Sequence, residues 1–428
     1  MQNHNLIRTM GFFDVICLGI NSVVGAGIFL LPGQLFGLAG KSAIWVFPLC
    51  GVLCFAIALC FAEMGGMYEK TGGAYLYARD AFGPFAGFLV GWMMWISAVI
   101  GWASVASGLG LYLGYFLPDG FVWLNKGLVA ALIVGLGIIN YFGVKPGART
   151  INFFTIGKLL SLLIFIGAGL FFIDWDKPVT QYLTKVDKGG LTIGSFGMAV
   201  VMALYAYTGF EFVAVPAGEM HRPKRDVPLT LFFVIMIVTV LYAVIQVVAT
   251  WTFPELAISD KPLVDAAKHF MGTSGGIIIG IGALLSIGGI NAGIALTSPR
   301  SLYVLSIDGY LPEVFSRTDP EYHTPYLAII VNTFLTLVLA LTGSFKYLVA
   351  ASVMVSILQY IPTCLAVIIL RRSNPERKGS YLIPGGYLIP FFALLVCGWL
   401  VFNVELKVIA ATAVAISVSL PFYFYKKR

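Results

Sequence analysis

The chain has 428 residues, of which 59% are hydrophobic and 11% charged, and its mean hydropathy is +0.91. Soluble proteins carry about 25% charged residues, so soluble enzyme, disordered tail and disulfide-rich secreted scaffold are all excluded. The net charge of +7 does not point to nucleic acid, because the basic residues punctuate apolar runs instead of gathering on one face. Cys17, Cys50, Cys54, Cys60, Cys364 and Cys397 fall inside hydrophobic segments, where thiols behave as small buried hydrophobes. No disulfide, metal site or cofactor is expected.

The first ten residues are polar, and the apolar run after them is longer than a signal-peptide core and lacks a small-residue cleavage site. The first helix is therefore expected to stay in the mature protein. Apolar runs then predict spans near 13–38, 42–62, 83–116, 127–143, 150–172, 191–217, 229–253, 272–304, 327–343, 346–370, 387–404 and 407–425, at roughly 20 residues per crossing. Lipid admits only helices or closed barrels, and these runs lack the alternation of barrel strands. The expected fold is an all-α polytopic membrane protein with twelve transmembrane helices. An even number of spans puts both termini on one side, and placing them in the cytoplasm brings every arginine to that side, as the positive-inside rule requires.

Spans one and six are interrupted in the same way. Each has a glycine followed at the same distance by a proline, Gly25 to Pro32 and Gly209 to Pro216. They open two possible halves of a five-plus-five inverted repeat, 13–172 and 191–370, with two extra C-terminal helices over 387–425. Paired Gly/Pro-interrupted segments at equivalent places point to a transporter's substrate site.

In GINSVVGAGIFLLPG, residues 19–33, the glycines of Gly25-Ala26-Gly27 are a natural place for a helix to unwind. Unwinding frees N–H groups at Ala26, Gly27 and Ile28, where partial positive charge favours a carboxylate. It also frees carbonyls around Val23 and Val24 to accept from an ammonium. Close packing of small residues in the membrane is the alternative use of the same pattern. In ALYAYTGFEFVAVPAGEMHRPKRDVP, residues 203–228, Gly209 and Glu211 break the sixth span. The carbonyls of Tyr205, Ala206 and Thr208 would end its first half at a negative pole. Facing half-helix termini of opposite sign suit a zwitterion.

With these segments, and with SPRSLYVLSIDGYLP at 298–312 ending the eighth span, the sequence resembles the amino acid–polyamine–organocation transporter superfamily, in its amino acid permease branch. The resemblance implies the leucine-transporter-type inverted-repeat fold with broken helices 1 and 6, and alternating access. It also implies that a substrate carboxylate meets Gly25, Ala26 and Gly27, while the amino group meets carbonyls of Val23, Tyr205 and Thr208.

Two ionisable residues lie at membrane depth, where a charge is a functional hypothesis by default. Lys158 sits eight residues into the expected fifth span, about 12 Å along it. The resemblance gives it the place of a lysine whose ammonium stands in for sodium. It is then either a proton carrier or a permanently charged tie between span 5, carbonyls of span 1 and hydroxyls of span 8 such as Ser286. Glu211 is open to the same two readings, proton coupling or gating against a structural hydrogen bond. For the substrate side chain, span 3 offers Ala98, Gly101 and Trp102, and span 8 offers Asn291 and Ile294. Trp102 and Asn291 are equally suited to packing between helices. Ala98 and Ile294 stand where relatives handling basic substrates carry polar or aromatic residues, which favours a neutral, apolar amino acid.

His4, His221, His269 and His323 form no metal-ligand cluster. No nucleophile–base pair or phosphate-binding loop is present, so no enzyme activity is expected. The glycine-rich stretch at 275–289 reads as a packing surface inside a span. The expected partners are an amino acid substrate, a proton where transport is proton-coupled, and the bilayer. The expected activity is sodium-independent secondary transport of neutral L-amino acids by proton coupling or exchange across the plasma (inner) membrane. An antiporter trading amino acids, or an amino acid for an amine, and a non-transporting sensor are the alternatives.

Overall fold

The computed structural model describes residues 7–113, 122–173, 193–342, 345–373, 379–402 and 406–426. The chain ends, and the tips of the expected spans at 114–116, 191–192, 343 and 403–404, lie outside these. Among the described residues the structure is helical and contains no strand, with one isolated bridge between Met10 and Met220.

The helices are α1 (Phe12–Val23), α2 (Gly27–Ala39), α3 (Ala43–Gly65), α4 (Ala74–Phe82), α5 (Pro84–Leu113), α6 (Val122–Tyr141), α7 (Val144–Phe172), α8 (Ile193–Tyr205), α9 (Pro223–Thr252), α10 (Pro262–Ile307), α11 (Tyr326–Thr342), α12 (Phe345–Ser373), α13 (Leu388–Phe402) and α14 (Leu406–Lys426). Six stretches among the described residues are long and apolar enough to cross a membrane: Phe12–Gly65, Pro84–Leu109, Val144–Phe172, Gly194–Ala214, Pro223–Thr252 and Pro262–Ile307. Shorter apolar helices lie at Lys126–Tyr141, Tyr326–Thr342, Leu388–Phe402 and Thr412–Phe424.

Some expected limits shift. α7 begins at Val144, not near 150, because Gly143 at φ +122° ends the preceding turn and starts a new helix. Lys158 therefore lies about 21 Å along it, deeper than the sequence limits imply. α10 begins at Pro262, ten residues early, and Gly272 at φ +72° bends it within the run. α4 was not anticipated; its AYLYARDAF sequence is amphipathic and short, so no long apolar run announces it.

α10 packs along α7 and α5, and α3 along α9. The glycines of the 275–289 stretch make the first approach possible. A Cβ on Gly282 would stand 1.9 Å from Ser161 Oγ, and one on Gly288 would stand 2.8 Å from the ring of Phe154. Small residues let helix backbones close in where the solvent is itself apolar and supplies no hydrophobic drive.

Candidate functional site

Two helices stop inside the bundle, each for a local reason. α1 ends at Val23. Val24 is extended (φ −77°, ψ 93°), and Ala26 caps the start of α2 at Gly27. α8 ends at Tyr205, where Ala206, Tyr207 and Thr208 donate three residues back in tightened turns. Gly209 then takes φ +112°. The chain past Gly209 is not a regular α-helix: it continues as 3-10 turns over Phe210–Ala214 and Ala217–Glu219, with Pro216 supplying no N–H between them.

The two breaks face each other. A Cβ on Gly209 would lie 2.2 Å from the carbonyl oxygen of Ser22, and one on Gly27 would lie 3.3 Å from Cβ of Ala206. The first N–H groups of α2 have no acceptor within their own helix and carry its positive pole. Opposite them lie the carbonyl-rich ends of α1 and α8.

Between them is a cavity of about 280 Å³. Of the sequence-derived candidates, Val23, Gly25, Ala26, Gly27, Ala98, Gly101, Tyr205, Thr208, Glu211 and Ile294 border it. Val24, Lys158 and Asn291 do not. Asn291 is fully buried and its amide donates to Ile287 of its own helix at 2.7 Å. Trp102 is buried away from the cavity as well. The cavity also has walls that the sequence reading did not name: Ser97, Ser104 and Val105 on α5, Ile287 and Ile290 on α10, and Ser356 on α12. A signal for them exists in the sequence. Ser97, Gly101, Ser104 and Gly108 recur at helical spacing as one small-residue face, and so do Ile287, Ile290 and Ile294 as an apolar one.

Lys158 lies behind the first break, with no exposed surface. Its Nζ donates to the carbonyls of Val24 at 2.7 Å, Asn21 at 3.3 Å and Ser286 at 3.4 Å. The Ser286 hydroxyl donates to the same Val24 oxygen at 3.0 Å. Among the described residues no carboxylate pairs with this lysine. The carbonyl of Val24, freed by the break, is thus engaged by the protein's own ammonium and turned away from the cavity.

Glu211 is 1% exposed. One oxygen accepts from the N–H of Gly209 at 2.8 Å and from the Tyr360 hydroxyl at 3.0 Å, while the other has no partner. The carboxylate therefore joins the second break to α12 and retains acceptor capacity at the cavity wall. Tyr205's carbonyl is already taken by the Thr208 hydroxyl at 2.8 Å and the Thr208 N–H at 3.3 Å.

The cavity reaches exposed Asp260 and half-buried Lys261 just before the start of α10. Near the other end of α10 the molecule is closed. Arg300 and Glu219 form an ion pair at 3.2 Å, both with no exposed surface, and the Glu219 carbonyl accepts from the N–H groups of Thr9 and Met10. Asp308 accepts from Tyr75 and Arg79. Glu63 holds Arg371 and the N–H of Ile383, and half-exposed Glu69 meets both Arg8 and Lys224.

A family model described as amino acid permease matches residues 10–422. The chain is 29% identical over 404 residues to the serine/threonine exchanger SteT of Bacillus subtilis (strain 168), covering 92% of this chain and 90% of that protein. It is 28% identical to the branched-chain amino acid permease BcaP of the same organism, covering 99% and 94%, and 27% identical to its methylthioribose transporter, covering 100% and 95%. With that match and several helices able to cross a bilayer, this is an integral multi-pass membrane protein, and the chain belongs to the amino acid permease family of the amino acid–polyamine–organocation superfamily.

Proposed function

We propose that the protein is a sodium-independent secondary transporter of neutral L-amino acids, working by alternating access between the two faces of the plasma (inner) membrane. The observation that carries this reading is the apposition of the two helix breaks across one cavity, positive α2 start against carbonyl ends of α1 and α8. In this reading the substrate carboxylate sits at Gly25, Ala26 and Gly27, and its ammonium at the carbonyls of Val23 and of the turn after α8. Its side chain lies between Ala98 and Gly101 on one wall and Ile294 on the other. The isoleucine wall of Ile287, Ile290 and Ile294 favours an apolar side chain.

The reading includes twelve spans in a five-plus-five inverted repeat with both termini cytoplasmic. The closed end at Arg300 and Glu219 then faces the cytoplasm and the cavity opens outward. The Lys158 ammonium, fully buried among carbonyls of α1 and α10, occupies the place of a coupling cation. Proton coupling through Lys158 or Glu211 requires that protonation favour one of the two states.

Exchange is the second reading, favoured because a relative of nearly the same length is named an exchanger. Protein reconstituted in liposomes should take up radiolabelled L-leucine without sodium, faster with an inward proton gradient. An exchanger would instead be accelerated by unlabelled leucine trapped inside and would not concentrate label in empty vesicles. Uptake that demands sodium and ignores pH overturns the reading.

A further inference from the structure

Two carbonyls at the cavity share one hydrogen-bond donor, which comes from neither broken helix. Oη of Tyr242, on α9, lies 3.1 Å from the carbonyl oxygen of Val23 at the end of α1 and 3.2 Å from that of Ala206 just past α8. The Tyr242 ring has no exposed surface and packs against Phe47 and Tyr207, with centroids 5.1 and 5.4 Å away. Tyr207 is itself fixed by donating to the carbonyl of Phe47 at 2.8 Å. Val23 and Ala206 border the cavity and Tyr242 does not, so the phenol reaches both carbonyls from the wall behind them.

A phenol has one proton to donate, and a carbonyl oxygen has two lone pairs. At nearly equal distances the proton is shared, and each carbonyl keeps acceptor capacity. The neighbouring carbonyls are more heavily engaged, Val24 by Lys158 and Ser286 and Tyr205 by Thr208.

We propose that Tyr242 is a positioning residue for the substrate's α-ammonium, its hydroxyl pinning the ends of α1 and α8 to one point so that the second lone pairs of the Val23 and Ala206 carbonyls form a fixed acceptor pair at the cavity wall. The inference rests on reading this cavity as an amino acid site. Without the clamp the two carbonyls belong to separate broken helices, and the substrate itself must order them, at a cost in affinity.

Tyr242→Phe keeps the ring and removes the hydroxyl. The KM for L-leucine influx into proteoliposomes should rise about two- to ten-fold, the worth of one net hydrogen bond, with kcat unchanged. Two competitors separate positioning from packing. Leucinol, which has the ammonium and no carboxylate, should lose inhibitory potency by the same factor, whereas 4-methylpentanoate, which has the carboxylate and no ammonium, should inhibit both proteins equally. On purified protein, the thermal stabilisation given by leucinol should shrink and that given by 4-methylpentanoate should not. Equal losses for the two analogues, or a fall in kcat at constant KM, would overturn the proposal. A wild type that moves no neutral amino acid would instead overturn the transport reading.

Discussion

At the scale of single residues, Gly209 is the most constrained position of the site. Its φ of +112° is a conformation that L side chains rarely adopt, and a Cβ would stand 2.2 Å from the backbone of Ser22. Rigid backbone cannot give way as a side-chain tip can, so Gly209→Ala should abolish uptake in proteoliposomes. Gly135→Ala, on α6 and away from the cavity, is the control: its Cβ would meet nothing within 4 Å, and uptake should be largely retained. Lys158 poses a different question, because among the described residues three carbonyls and no carboxylate surround its ammonium. Lys158→Ala removes the charge that holds the first break against α7 and α10. The expected outcome is a changed pH profile of uptake, measured against wild type over the range from acid to neutral external pH. An unaltered profile would leave Lys158 as a structural tie.

At the scale of elements, the breaks in α1 and α8 do more than bend the chain, since each exchanges intrahelical hydrogen bonds for bonds to other helices. Val24 accepts from α7 and α10, while Val23 and Ala206 share the Tyr242 hydroxyl of α9. The end of the bundle at Arg300 is fastened by charges, some of them in water. Glu69, in the turn after α3, accepts from Lys224 and Arg8, which hold its carboxyl below the ordinary value of 4.5. A carboxyl depressed in the folded state contributes stability that is present above its unfolded value and is lost as pH falls through the folded one. Both partners are about half-exposed, so the effect is modest and screened by salt. In thermal melts, Glu69→Gln should fall slightly short of wild type at neutral pH and low salt, and the gap should close as pH falls through the depressed carboxyl's folded value. A deficit that persists unchanged in high salt would count against an electrostatic origin.

At the scale of the whole molecule, the site is assembled from α1, α2, α5, the segment after α8, α10 and α12, stretches hundreds of residues apart. A ligand that bridges them stabilises the folded form alone, by about 2.7 kcal/mol at a hundred times its dissociation constant. Neutral amino acids should therefore raise the melting temperature of the purified protein, whereas arginine and polyamines should not. Stabilisation by arginine alone would reverse the assignment of the Ile294 wall.

Composition together with the lack of strand alternation determined that this is a helical membrane protein, because in lipid a segment that cannot pair into a closed barrel must satisfy its backbone within itself. The glycines at 25, 27 and 209 marked the two breaks, since glycine weakens a helix wherever it stands. The tertiary structure decided which freed groups face the cavity. Val24 was a candidate until the Lys158 ammonium was found on its carbonyl, and Asn291 until its amide was found bonded along its own helix. Tyr242 was invisible within the uniformly apolar run of α9, where nothing distinguishes a packing ring from one that clamps two carbonyls. Hydropathy and glycine report on bonds a segment can make with itself, whereas the direction of a side chain depends on neighbours that are remote in the chain, and only packing brings those together.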